Sequence, residues 1–330
     1  MYSKPKKQAM KKIVKILIIF VLVVVVVIGA GAAFISIRGI PKYEVKVPSI
    51  PNVEVTPERV ERGEKIASML CRNCHFNSET GKLTGRRLED APDFGEIYSK
   101  NITQDKEIGI GSWTDAQLIY FIRTGIHPMT GQYVPPYMVK LSHISDEDMG
   151  SIIAYLRSDR DEVQPSKTEL PDTKPSFLTK ALSNFVFKPF PYPEKEIPSP
   201  DTGNAQEWGK YLALYQLECY TCHSKDFAKV DFYSPEKSLG FFGGGNEQLR
   251  TPDGKKQILS LNITPDEETG IGSWTEEQFS NAVRNAIVPS GPALRQPMMP
   301  FVRLTDSEVH ALYTYLRTVP KIKNKVDRTL

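Results

Sequence analysis

All four cysteines of the chain lie in two short strings with the same pattern, Cys-x-x-Cys-His. The residues concerned are Cys71, Cys74 and His75 in the first string, and Cys219, Cys222 and His223 in the second. This pattern is the attachment sequence of c-type haem, because two thiols at this spacing reach the two vinyl groups on one edge of the porphyrin. The histidine that follows then lies under the iron as its proximal ligand. The sequence therefore predicts two covalently bound haem c groups.

Other uses of paired cysteines fit this pattern less well. A structural zinc site needs four ligands close in space, usually from two knuckles about 12–20 residues apart, whereas most of a domain separates these two pairs. A thioredoxin-like redox pair would lie beside a βαβ pattern, and strand signals are weak throughout. Disulfides between the pairs would suit an oxidising compartment but require no histidine after each pair.

Each iron needs a second axial ligand if its haem only carries electrons. Methionine is a common choice, because its thioether favours Fe(II) and raises the reduction potential. The candidates are Met138 in the first half and Met299 in the second, each on a proline-rich loop shortly before a helix. Other ligands stay open from sequence alone. They are Met129, His127 and His143 for the first iron, and Met298 for the second.

The two halves also repeat a longer string, NITQDKEIGIGSWT over residues 101–114 and NITPDEETGIGSWT over residues 262–275. Eleven of the fourteen positions are identical. Each copy holds one asparagine and one tryptophan that could bind cofactor. These residues are Asn101, Trp113, Asn262 and Trp274. Either they donate hydrogen bonds to the haem propionates, which need donors when buried, or the tryptophans only pack and the asparagines only shape turns.

Helical patterns surround these motifs in both halves, so we predict an all-α fold built as two copies of one domain. Apolar residues at positions i, i+3, i+4 and i+7 mark the last helix of each half. Predicted N-caps are Thr114, Ser145, Thr275 and Thr305, and two of them belong to capping boxes. A helix is also expected before each Cys-x-x-Cys-His string, over residues 59–69 and 205–217.

The N-terminus predicts a membrane anchor. Residues 1–15 hold six lysines and no acid, and an apolar run follows, long enough to span the roughly 30 Å hydrocarbon core. The positive-inside rule places the lysines in the cytoplasm and the haem motifs on the periplasmic or extracytoplasmic side of the inner membrane. The alternative is a cleaved signal peptide, since Ala30-Gly31-Ala32 fits an A-x-A cleavage site. The apolar run is longer, however, than the apolar region of a signal peptide, which usually has about 7–15 residues.

Charge and proline content divide the rest of the chain. With 42 Lys and Arg against 39 Asp and Glu, and six of the lysines in the tail, no strong basic field remains for nucleic acid. The expected units are a cytoplasmic basic tail (1–15), a transmembrane anchor (16–37), a Pro-containing tether that lifts the first domain off the membrane (38–57), haem domain 1 (58–160), a Pro-rich linker (161–203), haem domain 2 (204–320) and a C-terminal tail (321–330). Prolines predict a helix-free linker, in which Phe185, Val186, Phe187 and Phe190 pack onto a domain.

With these motifs the chain resembles class I-type cytochrome c domains in tandem. It looks most like the membrane-bound cytochrome c subunits of bacterial alcohol, gluconate and sugar dehydrogenases. The resemblance rests on the two haem motifs, the repeated string and the Met-Pro loop followed by TDSEVHALYTYLR. The chain departs from that family in having two haem domains where three are common, and in reading Tyr-Met-Val in copy one where copy two has Met-Met-Pro.

The function expected from these observations is transfer of single electrons. The donor would be a dehydrogenase or a quinol-linked protein, and the acceptor an oxidase or another cytochrome. Membrane lipid would hold the N-terminal helix, and the chain would need no catalytic activity of its own. The alternatives are a dihaem peroxidase, which needs one open iron site, and a haem-based redox sensor, which needs an output module.

Overall fold

The computed structural model describes residues 4–327. Its first element is a long helix, α1 (Lys4–Arg38), so the basic tail from Lys4 onward and the apolar run form one continuous helix. By length and composition, residues Met10–Arg38 are apolar enough to cross a membrane, with a mean hydropathy of 3.3. Apolar side chains along this stretch are exposed, and Ile35 near its end is buried. Residues 1–3 of the basic tail and residues 328–330 of the predicted C-terminal tail lie outside the described residues.

The first domain is helical where the sequence predicts helices. Its helices are α2 (Pro57–Leu70), α3 (Arg72–His75), α4 (Asp115–Thr124) and α5 (Asp146–Leu156). The Thr114 hydroxyl accepts the N–H of Gln117 and the Gln117 side chain accepts the N–H of Thr114, which completes the predicted capping box. Ser145 caps α5 through the N–H of Asp148. These predictions are confirmed, and they fix where the chain turns around the first haem motif.

Domain 2 repeats this order. Its helices are α7 (Ala205–Tyr211), α8 (Cys219–His223), α9 (Glu276–Asn285) and α10 (Asp306–Leu316). The predicted helix over residues 205–217 changes pitch, because α7 continues as a π-helical turn over Leu212–Gln216. Glu218, two residues after this turn ends, has a left-handed backbone conformation with φ 47°. Both features accommodate extra length between α7 and α8, and the apolar periodicity does not show them.

A glycine lies where the first and last helices of each domain cross. Any Cβ on Gly63 of α2 would overlap the Ser151 carbonyl of α5, and any Cβ on Gly209 of α7 would overlap the Ala311 carbonyl of α10. The helix backbones are therefore closer than side chains would permit. Around each crossing lies an apolar core that includes the fully buried Ile152 and Leu312.

Short strands correct the all-α prediction in part. A three-stranded antiparallel sheet joins β1 (Arg87–Leu88), β2 (Gly95–Tyr98) and β3 (Lys174–Pro175), and a hairpin joins β4 (Leu249–Arg250) and β5 (Gln257–Ile258). Strands of two to four residues carry too little alternation for a pattern to reveal them. The fold is mainly helical, and the sheets fasten the loops that follow each haem motif.

The tether between α1 and α2 packs on the surface of domain 1, and its role in lifting that domain off the membrane stays a prediction. Tyr43 donates its N–H to the Gly131 carbonyl at 2.8 Å, and Val53 donates its N–H to Asp115 at 2.9 Å. Hydrogen bonds thus attach both ends of this segment to the domain surface. The proline composition predicted an irregular backbone correctly, but it gave no information about what that backbone contacts.

The linker holds a helix where none was predicted, α6 (Phe177–Phe185), capped by Ser176. Its nine residues contain no proline, and the linker prolines lie on either side. The prediction that the apolar residues of the linker pack onto a domain is confirmed for two of the four and wrong for the other two. Phe185 and Val186 are exposed, whereas Phe187 and Phe190 are half-buried, and Phe190 contacts Phe232 of domain 2.

The domains contact each other through their first and last helices. Lys65 of α2 donates to Glu308 of α10 at 2.6 Å, and Tyr211 of α7 donates its hydroxyl to Asp148 of α5 at 2.6 Å. Arg303 adds ion pairs to two glutamates of α2. Because Asp148, Glu308 and the Tyr211 ring are buried, these polar contacts are shielded from solvent.

Candidate functional site

Both Cys-x-x-Cys-His strings form short helices, α3 and α8, with the thiols and the histidine on the wall of one cavity. The four cysteines form no disulfide with one another and are partly buried. In the part of the chain that the structure describes, no group of three or more His, Cys, Asp or Glu converges as a metal site. A zinc site of four protein ligands therefore does not fit, whereas haem iron brings four ligands in its own ring.

Each histidine is oriented by one hydrogen bond to a backbone carbonyl. The Nδ1 atom of His75 lies 2.7 Å from the carbonyl oxygen of Lys100, and Nδ1 of His223 lies 2.8 Å from that of Leu261. Since a carbonyl only accepts, Nδ1 carries the proton and Nε2 keeps its lone pair for a metal. Burial lowers the pKa of both imidazoles, which favours the neutral form that binds iron.

The cavity is a single space of about 1530 Å³. This exceeds the roughly 300–1,000 Å³ of a pocket for one drug-sized ligand. Both haem motifs, Trp113 and Trp274 line it, together with apolar side chains of α4, α5, α9 and α10. This cavity has mainly apolar walls and the thiols and histidines of both strings on its lining, which fits two porphyrins.

The predicted methionine ligands both reach this cavity. Met138 and Met299 line it and are half-buried, as is Met298. The loop of Met138 is tightly held, since Lys140 donates to the carbonyls of Pro135 at 2.7 Å and Met138 at 2.6 Å. Both methionines therefore have the access that an axial ligand needs, and Met298 shares it.

The alternative ligands of the first iron differ in position. His127 and Met129 line the cavity, and the His127 ring lies edge-on to Trp113 with centroids 4.9 Å apart. His143 lies elsewhere: its ring contacts Tyr215 and Phe190, and Nδ1 pairs with the hydroxyl of Ser142. This placement argues against His143 as a ligand and leaves Met138, His127 and Met129 at the cavity.

The side chains of the two repeated asparagines already form hydrogen bonds within the protein. The Asn101 amide donates to the carbonyls of Ser166 and Thr168, and its oxygen accepts from Thr103. In domain 2, the Asn262 amide donates to the Ile322 carbonyl and its oxygen accepts from Thr264. Both amides thus hold the chain that follows each domain against the NIT turn. Binding a propionate would require these bonds to break, so the structure favours the turn role.

Two residues that the sequence did not single out lie between the haem motifs. Lys140 is buried beside the Met138 loop, and Glu218 lines the cavity directly before Cys219. Burial lowers the pKa of Lys140 to about 7 and raises that of Glu218 to about 8, and the opposite charge of each acts against the shift of the other. In the sequence, only a lysine within an apolar loop and a glutamate directly before the haem motif could have drawn attention to them.

Comparisons with known proteins agree with this site. The cytochrome c family profile matches residues 60–159 and 212–320, more than half of the chain. The fructose dehydrogenase cytochrome subunit of Gluconobacter japonicus is 28% identical over 283 residues, covering 79% of this chain and 52% of that protein. The gluconate 2-dehydrogenase cytochrome c subunit of Pantoea cypripedii is 37% identical over 269 residues, covering 79% and 59%.

A third relative is closer in length. A diheme cytochrome c-type protein of Cereibacter sphaeroides is 27% identical over 276 residues, covering 79% of this chain and 86% of that protein. The chain thus spans about half the length of the fructose dehydrogenase subunit and most of the diheme protein. The two profile matches each contain one Cys-x-x-Cys-His string, and such domains hold haem c through those thiols. The chain belongs to the cytochrome c family.

Proposed function

We propose that this protein is a dihaem electron-transfer protein that moves single electrons between its two haems within one chain. The observation that carries the proposal is the single cavity lined by both haem motifs. Haem c supplies the reversible Fe(III)/Fe(II) couple. The chain contributes the covalent thioether links, the oriented axial ligands and an apolar wall that excludes water.

Four side chains carry the iron in this proposal. His75 and His223 are the proximal ligands, and Met138 and Met299 the distal ones. With both axial positions filled, neither iron has an open site for peroxide, so a peroxidase reaction is not part of the proposed function. Each distal methionine raises the potential of its iron by favouring Fe(II).

The electron donor is proposed to be a dehydrogenase that partners this chain in the membrane. Two relatives are named as cytochrome subunits of fructose dehydrogenase and gluconate 2-dehydrogenase, which supports this class of partner. The apolar helix α1 supports a single-pass anchor, and the lysines at its N-terminal side favour a periplasmic position for both haem domains.

Haem counting tests the core of this proposal. The full chain should carry about two haems in a pyridine haemochrome assay, which follows from the motif count, and acid–acetone should not extract the colour. Cys74→Ala should remove the covalent haem of domain 1 and Cys222→Ala that of domain 2. A chain with one covalent haem, or a high-spin ferric iron that binds cyanide at once, would contradict the assignment.

The anchor has its own test. The mature chain should sediment with membranes after carbonate washing and keep residues 1–32 when its mass is measured. A mature N-terminus at Ala33 would identify a cleaved signal peptide instead. Purification in mild detergent, followed by identification of copurified subunits, tests the dehydrogenase partner.

A further inference from the structure

Helix α6 (Phe177–Phe185) has an inverted distribution of side chains. Its inner positions are polar, since Thr179 and Ser183 are fully buried. Its outer positions are apolar, and Phe177, Leu178 and Phe185 are each about half exposed or more. A helix at the surface of a soluble domain has the opposite arrangement, so the outer face of α6 calls for an apolar environment.

The apolar face is continuous along the helix. At 100° per residue, Phe177, Ala181, Phe185, Leu178 and Leu182 fall within a stripe about 140° wide. One inner polar residue is bonded to the domain, because the Thr179 hydroxyl donates to the Phe94 carbonyl at 2.9 Å. Exposure of the apolar stripe is therefore built into the way α6 docks, and the helix cannot rotate without breaking this bond.

The position of α6 identifies what covers this face. The Asn184 amide donates to the carbonyl of Gly39, the first residue after α1, at 2.9 Å. At the same end of α1, Phe34 and Ile37 are exposed. The apolar face of α6 thus adjoins the point at which the proposed anchor leaves the bilayer. Cationic side chains, Arg38, Lys42 and Lys188, are exposed in the same neighbourhood, where lipid phosphates would lie.

We propose that α6 lies in the interface of the same membrane that α1 crosses, with Phe177, Leu178 and Phe185 inserted among the lipids. This inference rests on the proposed anchor. It adds a second attachment, which holds domain 1 flat against the bilayer. Because Gly39, Ile40, Pro175 and Lys180 also line the haem cavity, the side of the first haem site formed by these residues is held next to the membrane surface.

Thiol labelling in nanodiscs tests the proposal. The native cysteines are consumed by haem, so a new cysteine in the full dihaem chain is the only reactive thiol. Phe185→Cys and Leu178→Cys would be reacted with a charged maleimide in discs of phosphatidylcholine and phosphatidylglycerol. Val302→Cys, exposed in domain 2, is the water control, and Val26→Cys in α1 is the lipid control. Haem content and complete labelling in sodium dodecyl sulfate would verify that each variant is folded and reactive.

The α6 thiols should react about tenfold or more slowly than Cys at position 302, because an apolar environment lowers the thiolate fraction and the charged reagent does not enter lipid. If the α6 thiols react as fast as the water control while the α1 thiol is shielded, the anchor stands and the inference is overturned; the face would then be free for a protein partner. If the α1 thiol also reacts fast, the proposed anchor itself fails and α6 with it.

Discussion

Single hydrogen bonds orient the two histidines that we propose as proximal iron ligands. His75 and His223 use Nδ1 on a backbone carbonyl, which leaves Nε2 for iron. The carbonyls belong to Lys100 and Leu261, each directly before the repeated NIT string. The repeat therefore has a function that identity alone did not reveal: it positions the acceptor for each proximal ligand.

Replacing the distal ligands should separate the two haems. Met138→Ala should abolish the weak thioether–iron absorption of the first haem and lower its potential, and Met299→Ala should do the same for the second, because Fe(II) loses its soft ligand. Redox titration with absorption spectroscopy measures both. If Met138→Ala is silent while His127→Ala changes the first haem, domain 1 has two histidine ligands.

The loop that carries Met138 should depend on Lys140. Lys140→Met keeps the length of the side chain but removes both hydrogen bonds to the loop carbonyls, so the Met138–iron bond should weaken and its thioether absorption should fall. Each lost hydrogen bond is worth about 0.5–1.5 kcal/mol where the lysine is neutral and about 1.5–3 kcal/mol where it is charged. The matched control is Lys167→Met, an exposed lysine on Glu107. Equal spectra for the two variants would show that the loop holds without Lys140.

The crossed helix pairs α2–α5 and α7–α10 are the framework of the domains, and each depends on one glycine. Gly63→Ala and Gly209→Ala should destabilise their domains by about 1–3 kcal/mol or more, because the added methyl overlaps a backbone carbonyl. Thermal unfolding followed by haem absorption measures the change. Gly150→Ala is the control, since a Cβ at this position meets only Val53 at 4.0 Å. In that variant the melting temperature should stay the same or rise, because alanine favours the helix over glycine by up to about 1 kcal/mol.

Elements with regular periodicity and caps could be predicted, and elements fixed by distant contacts could not. Thr114, Ser145, Thr275 and Thr305 cap helices as predicted, because a cap is decided within four residues. By contrast, α6 has its polar face inward, so its surroundings and not its pattern decide which side is buried. The same holds for the side chains of Asn101 and Asn262, because the backbone carbonyls to which their amide groups donate lie 60 or more residues away in the sequence.

Because one cavity is lined by both domains, we expect the stability of the whole chain to depend on bound haem. Apolar side chains of both domains line this cavity, and in a haem-free chain their surfaces would meet water instead of the porphyrins, so binding of haem favours the folded state over the unfolded one. Replacing all four cysteines by alanine and removing haem should therefore leave a chain without a cooperative thermal transition. A haem-free chain that melts as sharply as the dihaem protein would refute this.

The contacts between the domains form two equivalent pairs. Lys65 and Tyr211 occupy the same place, two residues after the crossing glycine, and Glu308 and Asp148 are both the third residue of their helix. Lys65 of copy one binds Glu308 of copy two, and Tyr211 of copy two binds Asp148 of copy one. Such reciprocity is the signature of a two-fold axis. The two copies of the haem domain therefore meet through equivalent surfaces, as the two subunits of a symmetric dimer do.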